Sequence, residues 1–132
     1  MKLSQISKSR RWAGNILIVF GALVLFASAG GKLSGAAKVV AGLNAFGYEG
    51  KVTALGAIEL GCSVLYLTPI TRSLGLLLVS SFLGGAIATH WSHGHNPLPP
   101  AIILAVLWTG ALLRHPEMAW SFRRKQSLIP VD

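Results

Sequence analysis

The chain has 132 residues, enough for one domain, with 52% hydrophobic and only 12% charged side chains. A water-soluble domain carries about 25% charged residues, so this composition excludes an ordinary soluble fold and points to lipid as the solvent. Lys and Arg number 12 against 4 acidic residues, a net charge of +8, but they gather in both tails and are sparse between the apolar runs, where base-reading elements would lie, which excludes nucleic acid as a partner.

A basic tail with Lys2, Lys8, Arg10 and Arg11 precedes the first element, Ala13–Gly31, an apolar run without a single charge. At 1.5 Å per residue it covers roughly 28 Å, close to the hydrocarbon thickness of a bilayer. KSRRW, then ILIVFGALVLF, then Ala27-Ser28-Ala29 also has the form of a secretory signal with an A-x-A cleavage site. The length of the apolar run suits a retained span. Gly14, Gly21 and Ser28 recur every seven residues, a stripe on which a second helix can pack closely in lipid. Lys32 falls one turn after Ser28.

Lys32 to Lys51 connects the first two spans. Val39, Val40, Leu43 and Phe46 stand at helical spacing and predict a short amphipathic helix at the membrane interface; an irregular loop is the alternative.

Val52–Thr68 is a second apolar run, interrupted by one charge, Glu59. A carboxylate inside a span costs several kcal/mol, so Glu59 is expected to face protein or water. Gly56, Cys62, Ser63 and Tyr66 share its helical face, while Leu60, Val64 and Leu67 can meet lipid. The link Thr68-Pro69-Ile70-Thr71-Arg72 predicts an antiparallel hairpin: Pro69 stops one helix, and Thr71 caps the next by accepting a backbone N–H.

Ser73–Thr89 is a third run, again uncharged. Ser80, Ser81, Gly84, Gly85, Ala88 and Thr89 form a broad small face that is expected to pack closely against other helices. The run ends in His90, and His93 and His95 follow at once. Three imidazoles suit zinc or copper in principle, but no HExxH spacing and no nearby cysteine ligand accompanies them, so no metal is assigned and the histidines stand only as candidates. A solvated loop is the simpler reading of His93 and His95. Leu98–Leu113 is the fourth run, slightly short and uncharged, with Pro99 and Pro100 in its first turn, where a missing N–H costs little. It can reach Arg114 by snorkelling.

The expectation is an all-α, four-transmembrane-helix bundle with a short interfacial helix between helices 1 and 2. Residues 1–132 would form a single integral membrane domain with spans at about 13–31, 52–68, 73–89 and 98–113. Nine basic residues fall on one side: Lys2, Lys8, Arg10, Arg11, Arg72, Arg114, Arg123, Arg124 and Lys125. Only Lys32, Lys38 and Lys51 fall on the other, so both termini are expected in the cytoplasm. Trp12, Tyr66 and Trp120 would lie near the inner interface, Tyr48 and Trp91 near the outer one.

This alternation brings Lys32, Glu59 and His90 into the outer half, with Tyr48 or Glu49 overhanging. Two readings follow. The cluster is a structural ion pair that fixes helix register, or it is a pocket that handles protons or binds a ligand. Cys62 is the only cysteine, so the chain has no disulfide or dithiol of its own.

GAIELGCSVLYLTPITRSLGLLLVSSFLGGAIATH, with AFGYEG before it and SAGGKLSG earlier, resembles the DoxX-like family of small bacterial membrane proteins. The likeness covers about Gly21 to Pro116. It rests on Lys32 just after the first helix, on Glu59 ahead of a Tyr-Leu-Thr-Pro-x-Thr-Arg link, and on GGAIATH ending at His90. His93 and His95 stand outside the pattern. The resemblance implies a four-helix membrane bundle. It also implies association with quinone-linked sulfur oxidation, as in subunits of thiosulfate:quinone oxidoreductase, or with membrane complexes of oxidative or thiol stress. The expected function is therefore an inner-membrane protein accessory to a redox process. Lys32, Glu59, His90 and Tyr48 would form its ligand pocket, a quinone its ligand, and a membrane redox protein or a second copy of the chain its partner. The alternatives are a non-enzymatic membrane scaffold or assembly factor and a small-solute transporter.

Overall fold

The computed structural model describes residues 7–119. The basic clusters at Lys2 and at Arg123 to Lys125, and Trp120, lie outside the described residues. Those described form five α-helices and one short 3-10 turn, with no strand. Helix α1 spans Lys8–Leu33, α2 Ala37–Ala45, α3 Val52–Leu67, α4 Arg72–Ser92 and α5 Leu98–Arg114; Pro116–Ala119 is the 3-10 turn.

Two of these helices, α1 and α4, are long and apolar enough to cross a membrane. The other two long apolar helices, α3 and α5, have 16 and 17 residues, roughly 24–26 Å each, somewhat shorter than a full span. Helix α1 begins more than a turn before its apolar run. Ser7 caps it, its hydroxyl accepting from the Arg10 backbone N–H at 3.2 Å. Lys8, Arg10, Arg11 and Trp12 are thus helical rather than part of a preceding tail. Helix α4 runs past Thr89 to Ser92, which puts His90 in its last turn.

The four long helices close a ring in which α1 packs on α3 and α5, and α4 packs on the same two. The core holds Ile18, Ala22 and Leu25 from α1, Tyr66 from α3, Leu76, Val79 and Leu83 from α4, and Leu107 and Ala111 from α5. The face predicted for α3 is the one buried: Val52, Gly56, Glu59, Cys62, Ser63 and Tyr66. Gly14 and Gly110 set the α1–α5 approach. A Cβ on Gly14 would stand 3.2 Å from the Gly110 carbonyl oxygen, and one on Gly110 3.0 Å from the Ile18 nitrogen.

The α3–α4 hairpin forms as expected, with Thr68 extended at ψ 121 as a residue before proline must be. Thr71 does not cap α4. Its hydroxyl instead donates to the Leu65 carbonyl at 2.9 Å, tying the link back to α3. Arg72 completes that closure, its guanidinium donating to the carbonyls of Tyr66 at 3.2 Å and Leu67 at 3.3 Å, which would otherwise end α3 unsatisfied. Beside it, Gly75 touches α3 backbone to backbone: a Cβ there would collide with the nitrogen of Tyr66 and the carbonyl carbon of Leu65.

The close-packing side expected for α4 is corrected. Arg72, Gly75, Leu76, Val79 and Leu83 are buried, whereas Ser81, Gly84, Gly85 and Ala88 are exposed or half-buried. A Cβ on Gly84 or Gly85 would meet nothing within 4 Å. The larger apolar residues bury more area on the core side and displaced the small ones outward. Tyr66 likewise departs from a place in an aromatic girdle. It is 0% exposed, and its hydroxyl donates to the Leu107 carbonyl of α5 at 2.8 Å. Trp12 and Trp91 are 71% and 75% exposed, as girdle residues would be.

Candidate functional site

Away from the Gly75 crossing, the bundle opens into a cavity of about 440 Å³. All five helices or their connections reach it, through Ser28 and Lys32 of α1, Phe46 and Tyr48 after α2, Glu59 of α3, Phe82, Gly85 and His90 of α4, and Pro100 and Ile103 of α5. The structure therefore brings Lys32, Glu59, His90 and Tyr48 around one space. Glu49 does not line it.

The acidic wall is a three-residue network. Glu59 is 2% exposed. Its Oε2 accepts from the Lys32 ammonium at 2.7 Å and from the Ser28 hydroxyl at 3.2 Å. Lys32 also donates to Ser28 Oγ at 2.7 Å, so the serine accepts from the amine and points its own proton toward the carboxylate. Ser28 and Lys32 stand one helical turn apart, which puts both side chains on the same flank of α1. They can reach α3 because Gly56 lets the helices approach: a Cβ on Gly56 would lie 2.9 Å from Lys32 Cβ and 3.3 Å from the Ala29 carbonyl oxygen. Both bonds to Glu59 end on Oε2. Among the described residues Oε1 has no hydrogen-bond partner, and two of the three ammonium protons of Lys32 are engaged.

The opposite wall carries the imidazole. His90 Nδ1 lies 2.8 Å from the Ala86 carbonyl oxygen. A carbonyl only accepts, so Nδ1 holds the proton, and Nε2 is the free nitrogen, an acceptor when the ring is neutral. Tyr48 hydrogen-bonds Thr89 Oγ1 at 2.9 Å, pinning the α2–α3 connection across the end of the cavity. Gly47 and Gly50, at φ 83 and 72, make the tight turn that aims Tyr48 back at α4.

Phe46 decides what the histidines do. Its ring centroid lies 4.9 Å from that of His90, 5.2 Å from His93 and 5.1 Å from His95. The three imidazoles surround one apolar ring rather than a common centre. Among the described residues no group of three His, Cys, Asp or Glu is placed to hold a metal ion. His93 and His95 are exposed, and His93 Nδ1 also donates to the Thr89 carbonyl at 2.9 Å.

Three contributors escape a sequence reading aimed at charges: Ser28, Thr89 and Phe46. The i, i+4 spacing of Ser28 and Lys32 is a signal for the first. Nothing local marks Thr89 or Phe46, whose partners lie on elements far away along the chain.

No curated protein matches the chain. No solved structure matches it either. A sequence model described as the DoxX-like family matches residues 16–112, most of the chain and every element that builds the cavity, and the protein therefore belongs to the DoxX-like family.

Proposed function

We propose that the chain is a four-span protein of the bacterial inner membrane, with both termini cytoplasmic, whose cavity binds the head group of a quinone and so supports a membrane redox process. Four spans are supported by the exterior of the bundle. Ile16, Val19, Phe20 and Leu23 on α1, Ile58 and Val64 on α3, Leu74 and Leu77 on α4, and Ile102 on α5 are all exposed. A surface apolar on all four long helices suits lipid and would be an aggregation hazard in water. Helices α3 and α5 lie beside the two longer ones and share their core, so a bilayer that takes α1 and α4 takes all four.

The observation that carries the ligand reading is the carboxylate of Glu59, buried, fixed through Oε2 alone, beside a 440 Å³ cavity that it lines. With Oε2 engaged by Lys32 and Ser28, the carboxylate keeps acceptor capacity on Oε1 for a ligand in the cavity it lines. The residues fit a quinone head group. Lys32 offers an N–H and His90 Nε2 a second site that accepts or donates with protonation. Phe46, Phe82 and Ile103 give the cavity apolar faces for a ring. A bound quinone would supply coupled acceptance of electrons and protons. The chain would hold the oxygens, exclude water behind Phe46 and Tyr48, and hold or move a proton at Glu59 Oε1 or His90 Nε2. Electrons would come from a membrane partner protein.

Mass spectrometry of the protein purified in mild detergent is expected to find a co-purified quinone that Glu59→Gln removes. Folded Glu59→Gln and Glu59→Leu proteins that retain the molecule at the parental level would overturn the reading. The exposed small flank of α4 at Gly84 and Ala88 favours a second reading, a scaffold on which a partner helix packs. A stable partner subunit with no small molecule is its expected signature.

A further inference from the structure

The cavity is bordered at one end by the α2–α3 connection and reaches the surface along α4. At the end, Phe46 stands against His90, His93 and His95, and Tyr48 is bonded to Thr89. At the side, the relevant flank of α4 is fixed by three residues spaced by sevens, which a helix places nearly in line. Gly75 touches the α3 backbone, Phe82 lines the cavity, and Thr89 meets Tyr48. This line faces α3. Ser80, which accepts from Trp108 Nε1 of α5 at 2.9 Å, lies on the other flank.

Gly85 sits beside this line, between Phe82 and Thr89. It both lines the cavity and is exposed at the surface, as is Ser81 one turn earlier. A Cβ on Gly85 would meet nothing within 4 Å. Because Ser81 and Gly85 line the cavity and are also exposed, the cavity reaches the bundle's surface along this flank of α4. This gap in the surface leads from the cavity to the bundle's exterior, and Glu59 lines the same cavity.

We infer that this gap is a lateral portal and that the ligand is an amphiphile. Its polar head reaches Glu59, Lys32 and His90 from the bilayer, and its apolar chain leaves between α3 and α4 over Ser81 and Gly85. This rests on the pocket reading above and adds the route and the contribution of a chain. The small residues on α4 leave room for the chain that larger side chains would fill.

The test compares two neighbouring glycines. Gly85 borders the cavity and Gly84 does not; both are exposed, and neither leaves a Cβ in contact with anything. Leucine at either position removes the same glycine from the same helix, so both variants are expected to fold. The full chain in nanodiscs is titrated with a dimethoxy-methyl-benzoquinone head group lacking a tail and with the same head group carrying a decyl chain. Equilibrium affinities are expressed against the membrane concentration of each probe. The parent is expected to bind the decyl probe more tightly. Gly85→Leu is expected to weaken the decyl probe roughly tenfold, the loss of a few buried methylenes, with the tailless probe within about twofold of parent. Gly84→Leu is expected to change neither. Equal weakening of both probes by Gly85→Leu, no weakening of either, or the same loss from Gly84→Leu overturns the portal and leaves the pocket reading standing. A parent that binds neither probe overturns both.

Discussion

The hairpin end and the cavity end of this bundle use the same four helices to opposite effect. At the hairpin end, Gly75 brings α3 and α4 into backbone contact, and Gly14 and Gly110 do nearly the same for α1 and α5. Polar groups there are absorbed by main-chain carbonyls. Tyr66 donates to Leu107, Arg72 to Tyr66 and Leu67, and Thr71 to Leu65. At the cavity end α1 and α3 still approach closely at Gly56, but the bundle encloses a cavity and the polar groups bond one another: Lys32 with Glu59 and Ser28, Tyr48 with Thr89. Side chains that satisfy backbone lock a fold. Side chains that satisfy each other across a space keep atoms, such as Glu59 Oε1, for something else.

Breaking the closed end is expected to have the largest effect. Gly75→Leu places a side chain where the α3 backbone already is. No rotamer relieves a collision at Cβ, so the hairpin must open. Size-exclusion chromatography in detergent is expected to show loss of the monodisperse folded species. Unpairing the open end comes next. Lys32→Met leaves the Glu59 carboxylate buried without its cation, a loss of about 3 kcal/mol. Thermal unfolding is expected to show that loss, and adding Glu59→Leu is expected to recover most of it, because the pair together is replaceable by apolar packing.

The same chemical change at both ends sharpens the contrast. Tyr66→Phe removes a fully buried hydrogen bond to the α5 backbone and is expected to cost about 1 kcal/mol of stability in a denaturation series. Tyr48→Phe removes a part-buried bond to Thr89. Its cost is expected to stay below about 0.5 kcal/mol, with the readout instead being faster hydrogen exchange over residues 37–51. Equal destabilisation by the two tyrosine variants would break the distinction between a locking end and an adaptable one.

The helical class, the helix-rich connection after Lys32 and the buried face of α3 were all legible in the chain. Each depends on local periodicity. Glu59 is read as inward because Gly56, Ser63 and Tyr66 recur with it at helical spacing, and a buried charge in an apolar run has few other places to go. The pairing of Lys32 with Glu59 was readable at one remove, since opposite charges at the same level of neighbouring helices attract. The direction of the small face of α4 was not. A stripe of Ser, Gly and Ala shows that close approach is possible there, not that another helix takes it.

What sequence by itself determined here is therefore which residues lie on one face of one helix. Only the tertiary structure decided that α3 and α4 touch at Gly75, that Gly85 lines the cavity, that Phe46 gathers three histidines from a distant stretch of the chain, and that Thr89 meets Tyr48. A helix's faces follow from a repeat of 3.6 residues within a few turns. The space between helices follows from how all four pack at once, and no single stretch of chain encodes it.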